Sequence, residues 1–283
     1  MTSRPLLLAL AGVLLFPAAS PAQTMRTTSV SRQQHGEKEF SAKIDFAAGT
    51  VTVRPAITGT LYSMRLRYDV ERYAPVSRFN SDTRQVVLGT QSVGDGGLRV
   101  SNRQHLAQDA VIELSPTVDL ALDANLGAVE AGLELGGLRI TEARIRTAAS
   151  KSTLRFSSPN QAVCRSLELN AGAAEFQALK LGNSGCREIG FEGGVGDVTL
   201  DLTGAWPVDA HVSARVSMAG LTIRLPRSAG VKLTVNRFLA SFNPAGFTRQ
   251  GEQYVSDGYQ TRTRHLSIDI SSTVGDINIV WVN

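Results

Sequence analysis

Leu167-Glu168-Leu169-Asn170-Ala171-Gly172-Ala173-Ala174-Glu175-Phe176 and Ile189-Gly190-Phe191-Glu192-Gly193-Gly194-Val195-Gly196-Asp197-Val198 are two copies of one phrase, 22 residues apart. Each copy has two alternating apolar residues, a glycine, and then alternation again. Period-2 alternation marks a strand with one buried face, because successive side chains point to opposite sides. A small residue between two such runs marks a corner. A period near 22 is too short for a free-standing domain and fits one coil of a stacked solenoid.

The phrase extends both ways. Upstream, Ile145, Ser150, Ser152, Leu154 and Phe156 fall on the same columns, as do Leu122, Ala124, Gly127, Val129, Ala131 and Leu133. Downstream come Val212, Ala214, Ser217, Ala219, Leu221, Ile223 and Leu225, then Ile268, Ile270, Thr273, Gly275, Ile277, Ile279 and Trp281. The expected fold is all-β: a single-stranded right-handed β-solenoid with coils of about 22–23 residues, preceded by an N-terminal β segment. A two-sheet sandwich is the alternative. The segments Leu138-Arg139-Ile140 and Leu179-Lys180-Leu181 are expected to supply the return wall. Glu130, Glu168, Glu175, Asp197, Asp201 and Arg224 should face solvent, and the last coil, with Trp281, is expected to be covered by the insertion that precedes it.

The first residues read as a secretory signal peptide. Arg4 is followed by an apolar run from Leu6 to Phe16, and Ser20-Pro21-Ala22 is a small-x-small cleavage site before Gln23. The run is too short to span a bilayer and no second long apolar stretch follows. The mature chain is therefore expected in the periplasm or outside the cell. Loss of Arg4 lowers the formal net charge of +4 by one. No Lys/Arg block stands out, which argues against nucleic acid as a partner and leaves anionic envelope polymers as one candidate.

Four segments are expected: 1–22 signal peptide, 23–36 flexible linker, 37–108 N-terminal β segment, and 109–283 solenoid with an insertion at about 236–263. The Gly94-Asp95-Gly96-Gly97 turn supports the division, although the N-terminal segment can equally supply the first layers of one continuous stack. The polar stretch 23–36 has little apolar content.

Cys164 and Cys186 are also 22 residues apart and open the same local phrase. Equivalent positions on adjacent coils bring Cα atoms to about 5 Å, within disulfide range, and an exported chain permits oxidation. A Cys164–Cys186 staple is expected. The insertion gathers Phe238, Phe242, Phe247, Tyr254 and Tyr259, interleaved with Arg237, Arg249 and Arg262. It reads either as a cap over the open core or as a recognition surface, on which Phe238, Phe242, Phe247, Arg249, Tyr254 and Tyr259 would contact a sugar or peptide.

No catalytic constellation assembles. His35, His105, His211 and His265 are scattered, none at metal-ligand spacing. A β-helix carbohydrate enzyme would have to draw on Glu175, Asp197 and Asp201. No cofactor or metal is expected.

Several stretches resemble the toast-rack β-solenoid domains of bacterial exported proteins. These are Leu126 to Ala131, the block Leu167 to Phe176, Gly194-Val195-Gly196-Asp197-Val198, and Ala219 to Pro226 followed by Gly230-Val231. Gly246-Phe247 with Tyr254-Val255-Ser256-Asp257-Gly258-Tyr259 adds to it, and Tyr68-Asp69 resembles the accompanying N-terminal portion. The family overlaps with the cell-wall-active-antibiotic-response proteins, in which a similar domain hangs from membrane helices and serves envelope-stress signalling; other relatives are adhesin-like. The resemblance implies a fold and brings no catalytic residues. It implies a non-enzymatic envelope scaffold or adhesion module binding an envelope protein or an anionic or glycan polymer. A soluble regulatory component of envelope-stress sensing, acting through a membrane protein, is the alternative. The oligomeric state is left open.

Overall fold

The computed structural model describes residues 24–93, 108–149, 151–173 and 175–283. The signal-peptide expectation and the Gly94–Gly97 turn lie outside them. The fold is all-β, and most described residues are in strands.

The unit is a long strand in two runs. In strand β7 (Asp119–Glu134), Leu120, Leu122, Ala124 and Leu126 are buried; after a corner at Gly127–Ala128, burial resumes at Val129, Ala131 and Leu133. Even positions face inward before the corner and odd positions after it, so both runs bury their apolar side on one core. The switch recurs in β2 (Glu39–Pro55), β12 (Cys186–Asp201), β13 (Ala210–Pro226) and β17 (His265–Val282). Elsewhere the corner splits the unit into two strands: β5 (Gln85–Ser92) and β6 (Asp109–Leu114), β8 (Arg139–Thr147) and β9 (Lys151–Arg155), or β10 (Cys164–Ala173) and β11 (Glu175–Leu179).

These units pair in parallel, layer on layer. Leu122 faces Ala143, Ala143 faces Leu167, Leu167 faces Ile189, Ile189 faces Val212 and Val212 faces Ile268. The chain thus returns to the same column every 21–24 residues until the insertion. The second runs pair likewise, Leu133 with Leu154, Leu154 with Ala178, Ala178 with Leu200 and Leu200 with Ile223. Leu138, Lys180 and Leu181, expected in a return wall, instead lie at turns between layers, while Arg139 and Ile140 open β8 and Leu179 closes β11. The second wall is made by the second runs themselves.

Corners are tight because layers stack backbone on backbone there. A Cβ on Gly172 would meet the Ala148 carbonyl oxygen at 2.4 Å, and one on Gly194 would meet the Gly172 oxygen at 2.3 Å. Only glycine fits that approach.

Layer order departs from chain order at both ends. Strand β2 lies between the β5/β6 layer and β7, pairing with all three. At the far end β17 pairs with β13 on one side and with β14 (Gly230–Phe242) on the other. The Trp281 layer is therefore internal, covered by β14, whose residues from 236 onward belong to the expected insertion. Leu266, Ile268 and Ile270 share the columns of Val231, Leu233 and Val235, so the sequence fixes the column and not which strand takes the inner slot.

Two other expectations are corrected. Residues expected in a flexible linker form β1 (Met25–Gln33), antiparallel to β3 (Thr60–Asp69); backbone pairing holds a polar edge strand that has no apolar period to announce it. The ladder continues through Phe242, so the interruption expected from about 236 begins after that residue. It contains the hairpin β15 (Phe247–Gln250) and β16 (Gln253–Ser256), which lies antiparallel on Lys232–Thr234.

Candidate functional site

Each corner exposes the residues between its two buried runs. In β13, Val216 and Ala219 are buried and Ser217–Met218 project outward. The equivalent pair is Thr273–Val274 in β17 and Phe238–Leu239 in β14, and Val195 occupies the place of Met218 in β12. Register aligns Val195, Met218, Val274 and Leu239 across four successive layers. Their exposures are 49%, 57%, 39% and 66%, and Phe238 beside Leu239 reaches 77%. At a layer spacing of about 4.8 Å the ridge runs roughly 14 Å. It is unusual because the exposed apolar residues are contiguous rather than scattered.

An open groove of ≈ 580 Å³ flanks this ridge, lined among others by Glu192, Arg215, Ser217, Asn236, Phe238 and Thr273. Arg215 pairs with Glu192 at 3.7 Å, which moderates the charge of the groove. The arrangement offers apolar contact with a polar rim, the anatomy of a protein-binding surface.

The outer wall of the first runs has a different character. Arg139 holds Asp119 at 2.7 Å, Arg146 holds Asp123 at 2.9 Å, Arg144 holds Glu168 at 2.6 Å, and Arg165 pairs with Glu142. The Arg144 hydrogen bond keeps the Glu168 carboxyl below its ordinary value. These four cations each have a carboxylate across the ladder, so this part of the wall offers no concentrated positive face to an anionic polymer.

The aromatic residues of the insertion do not converge. Phe242 packs edge-on to Tyr254 at 5.2 Å and Phe247 lies 5.1 Å from Trp281, all four against the core. Trp281 donates from Nε1 to the Ala245 carbonyl. Tyr259 lies 4.5 Å from the His265 ring, with Lys232 Nζ 4.8 Å above it. Arg249 is exposed on the hairpin and donates to the Gly251 carbonyl. Of the six recognition candidates, only Phe238 stands on the ridge. Val195, Met218, Val274 and Leu239 escape a reading by alternation alone, since each sits in an apolar column; the one-residue phase shift at the corner is the signal that exposes them.

The acidic trio does not form a cleft. Glu175 pairs with Lys151 at 3.3 Å, and Asp197 lies in the next layer. Asp201, expected to face solvent, is buried: it accepts the Thr203 backbone N–H at 2.9 Å and faces Arg224 at 3.6 Å. The turn after β12 draws the carboxylate in to satisfy that N–H. Among the described residues no group of three or more His, Cys, Asp or Glu could hold a metal ion, and no helix is long and apolar enough to cross a membrane. Cys164 and Cys186 form the expected disulfide.

Solved structures with similar outlines include a proposed cell adhesion protein from Clostridium sporogenes. It is 16% identical, with a TM-score of 0.48 over 91% of this chain and 100% of that one. A proposed adhesin from Bacteroides fragilis is 13% identical, with a TM-score of 0.44 over 92% of this chain and 99% of that one. No curated protein matches the chain. The family described as the N-terminal domain of toast_rack, DUF2154, matches residues 20–163, just over half of the sequence. With the layered strands around that segment, the chain belongs to the toast-rack family of bacterial proteins.

Proposed function

We infer that this chain is an exported, non-enzymatic binding module of the cell envelope, of scaffold or adhesion type, and that it holds another envelope protein through the corner ridge. The observation that carries this reading is the register-aligned row Val195, Met218, Val274 and Leu239, extended by Phe238. A contiguous apolar row facing water costs free energy unless something covers it. The neutralised ladder of the outer wall favours a protein over an anionic polymer as that cover. Export is supported by Arg4, the Leu6–Phe16 run and Ser20-Pro21-Ala22. A right-handed solenoid winding is the reading supported by the repeated 21–24-residue return to one column. The division at residue 108 follows the same proposal, with β2 joining the two parts through its pairing with β7.

The test is a photo-reactive residue at Met218 in cells, with a second at Thr222 on the flat outer wall as control. Repeated capture of one envelope protein from position 218, and not from 222, supports the reading. Equal labelling from both positions, or recovery of the chain only in the cytoplasm, rejects it.

A further inference from the structure

The two ends of the stack are finished differently. At the β5/β6 end, β6 is covered by β3, β3 by β1, and β5 by β4 (Tyr73–Asn80). At the other end, β14 pairs with β17 over Gly230–Phe242, but β16 covers it only at Lys232–Thr234. Residues 235–242 therefore present a free strand edge among the described residues. An edge without Pro, bulge or charge cluster is a template for another strand. This one carries a single charge, Arg237, whose Nη1 donates to the Ala240 carbonyl at 2.7 Å.

We propose that this edge pairs antiparallel with the same edge of a second copy, joining two stacks end to end. A layer with two runs and a corner is approximately symmetric about the bisector of the corner. A half-turn about that line exchanges the runs and reverses the stacking direction. The inward positions fix the register. Val235 faces inward before the corner, and Ala240 and Phe242 do so after it. Matching inward to inward places Val235 opposite the partner's Phe242, Arg237 opposite the partner's Ala240, and Asn236 opposite the partner's Ser241. Phe238 then lies opposite the partner's Leu239, and by symmetry the reverse, so the two most exposed apolar residues of this edge cover each other.

Charge fits the same register. Ser241 donates to Asp276 at 2.6 Å in the adjoining layer, on the outward side that the partner's Asn236 shares, and Arg237, on the inward side, has no cation opposite it. The carbonyl that Arg237 serves within its own chain has its counterpart in the partner's Ala240, directly across the new ladder. The inference goes beyond the ridge reading, since it uses the strand edge and a defined partner.

Two measurements on the mature chain test it. Sedimentation equilibrium should show a concentration-dependent dimer, at least tenfold weaker in L239D and unchanged in M218D, whose residue lies two layers from the edge. The double variant N236C/S241C should form a covalent dimer on oxidation, and N236C alone should not. The inference is overturned by a monomer at all concentrations, by a dimer indifferent to L239D, or by one dissolved equally by M218D. Loss of envelope binding in M218D with the dimer intact would bear on the ridge alone, so the two readings fail separately.

Discussion

Cys164 and Cys186 face each other in adjacent parallel strands, 4.4 Å apart at Cα and joined by a disulfide. The bond spans one layer step, so it holds the register of β10 on β12 that the ladders on either side inherit. Both residues are fully buried. A closed loop of this length contributes roughly 3 kcal/mol through the unfolded state. The double variant C164A/C186A is expected to melt about 6–12 °C lower, at roughly 2–4 °C per kcal/mol for a chain of this size, with unchanged far-UV circular dichroism below the transition.

Corner glycines should separate sharply from strand glycines. A Cβ on Gly194 would lie 2.3 Å from the Gly172 oxygen, whereas one on Gly132 meets nothing within 4 Å. Substitution G194A forces two layers apart and is expected to cost on the order of 3 kcal/mol. Substitution G132A should change stability by less than about 0.5 kcal/mol. Urea unfolding of both variants measures this directly.

The aromatic insertion divides by the same logic. Phe242 packs on Tyr254 and the core, while Phe238 is open to solvent. Substitution F242A should lose about 1–3 kcal/mol, in proportion to the apolar area uncovered. Substitution F238A should leave the melting temperature within about 1 °C in dilute solution.

Acid should weaken one link between β6 and its neighbours. Glu113 accepts hydrogen bonds from Arg54 at 2.8 and 3.0 Å and from Ser63 at 2.9 Å. The Arg54 bond, then the Ser63 bond, hold its carboxyl below the ordinary value. A carboxyl depressed by folding contributes stability that is present above its unfolded pKa and lost as pH falls through the folded one. Arg54 is half exposed, so the contribution is at most about 1 kcal/mol. The variant E113Q should be less stable than the parent at pH 7 and indistinguishable from it below the carboxylate range, as read by denaturant midpoints at the two pH values.

The strand ladder was legible because its physical cause is local. Alternation, a small corner residue and a constant return bring Leu167, Ile189 and Val212 into one column, and the equal spacing of Cys164 and Cys186 follows from that column. Layer order was not legible, because Leu266–Ile270 and Val231–Val235 fit the same slot and only their competition for two-sided burial decides it. Strand β1 was missed because Thr27, Ser29 and Ser31 pair through backbone alone, with no apolar rhythm. Asp201 was misplaced because its burial depends on the Thr203 N–H in the turn that follows. The ridge stayed hidden for the opposite reason: Met218 and Val274 look like core until the corner turns them outward.

The most direct test of the binding reading is the isotherm of purified mature protein on isolated cell envelopes, compared with M218D and V195D. Saturable binding lost in both variants, with unchanged melting temperatures, is the expected result. Envelope binding that survives both substitutions at full affinity would contradict the assignment of the ridge.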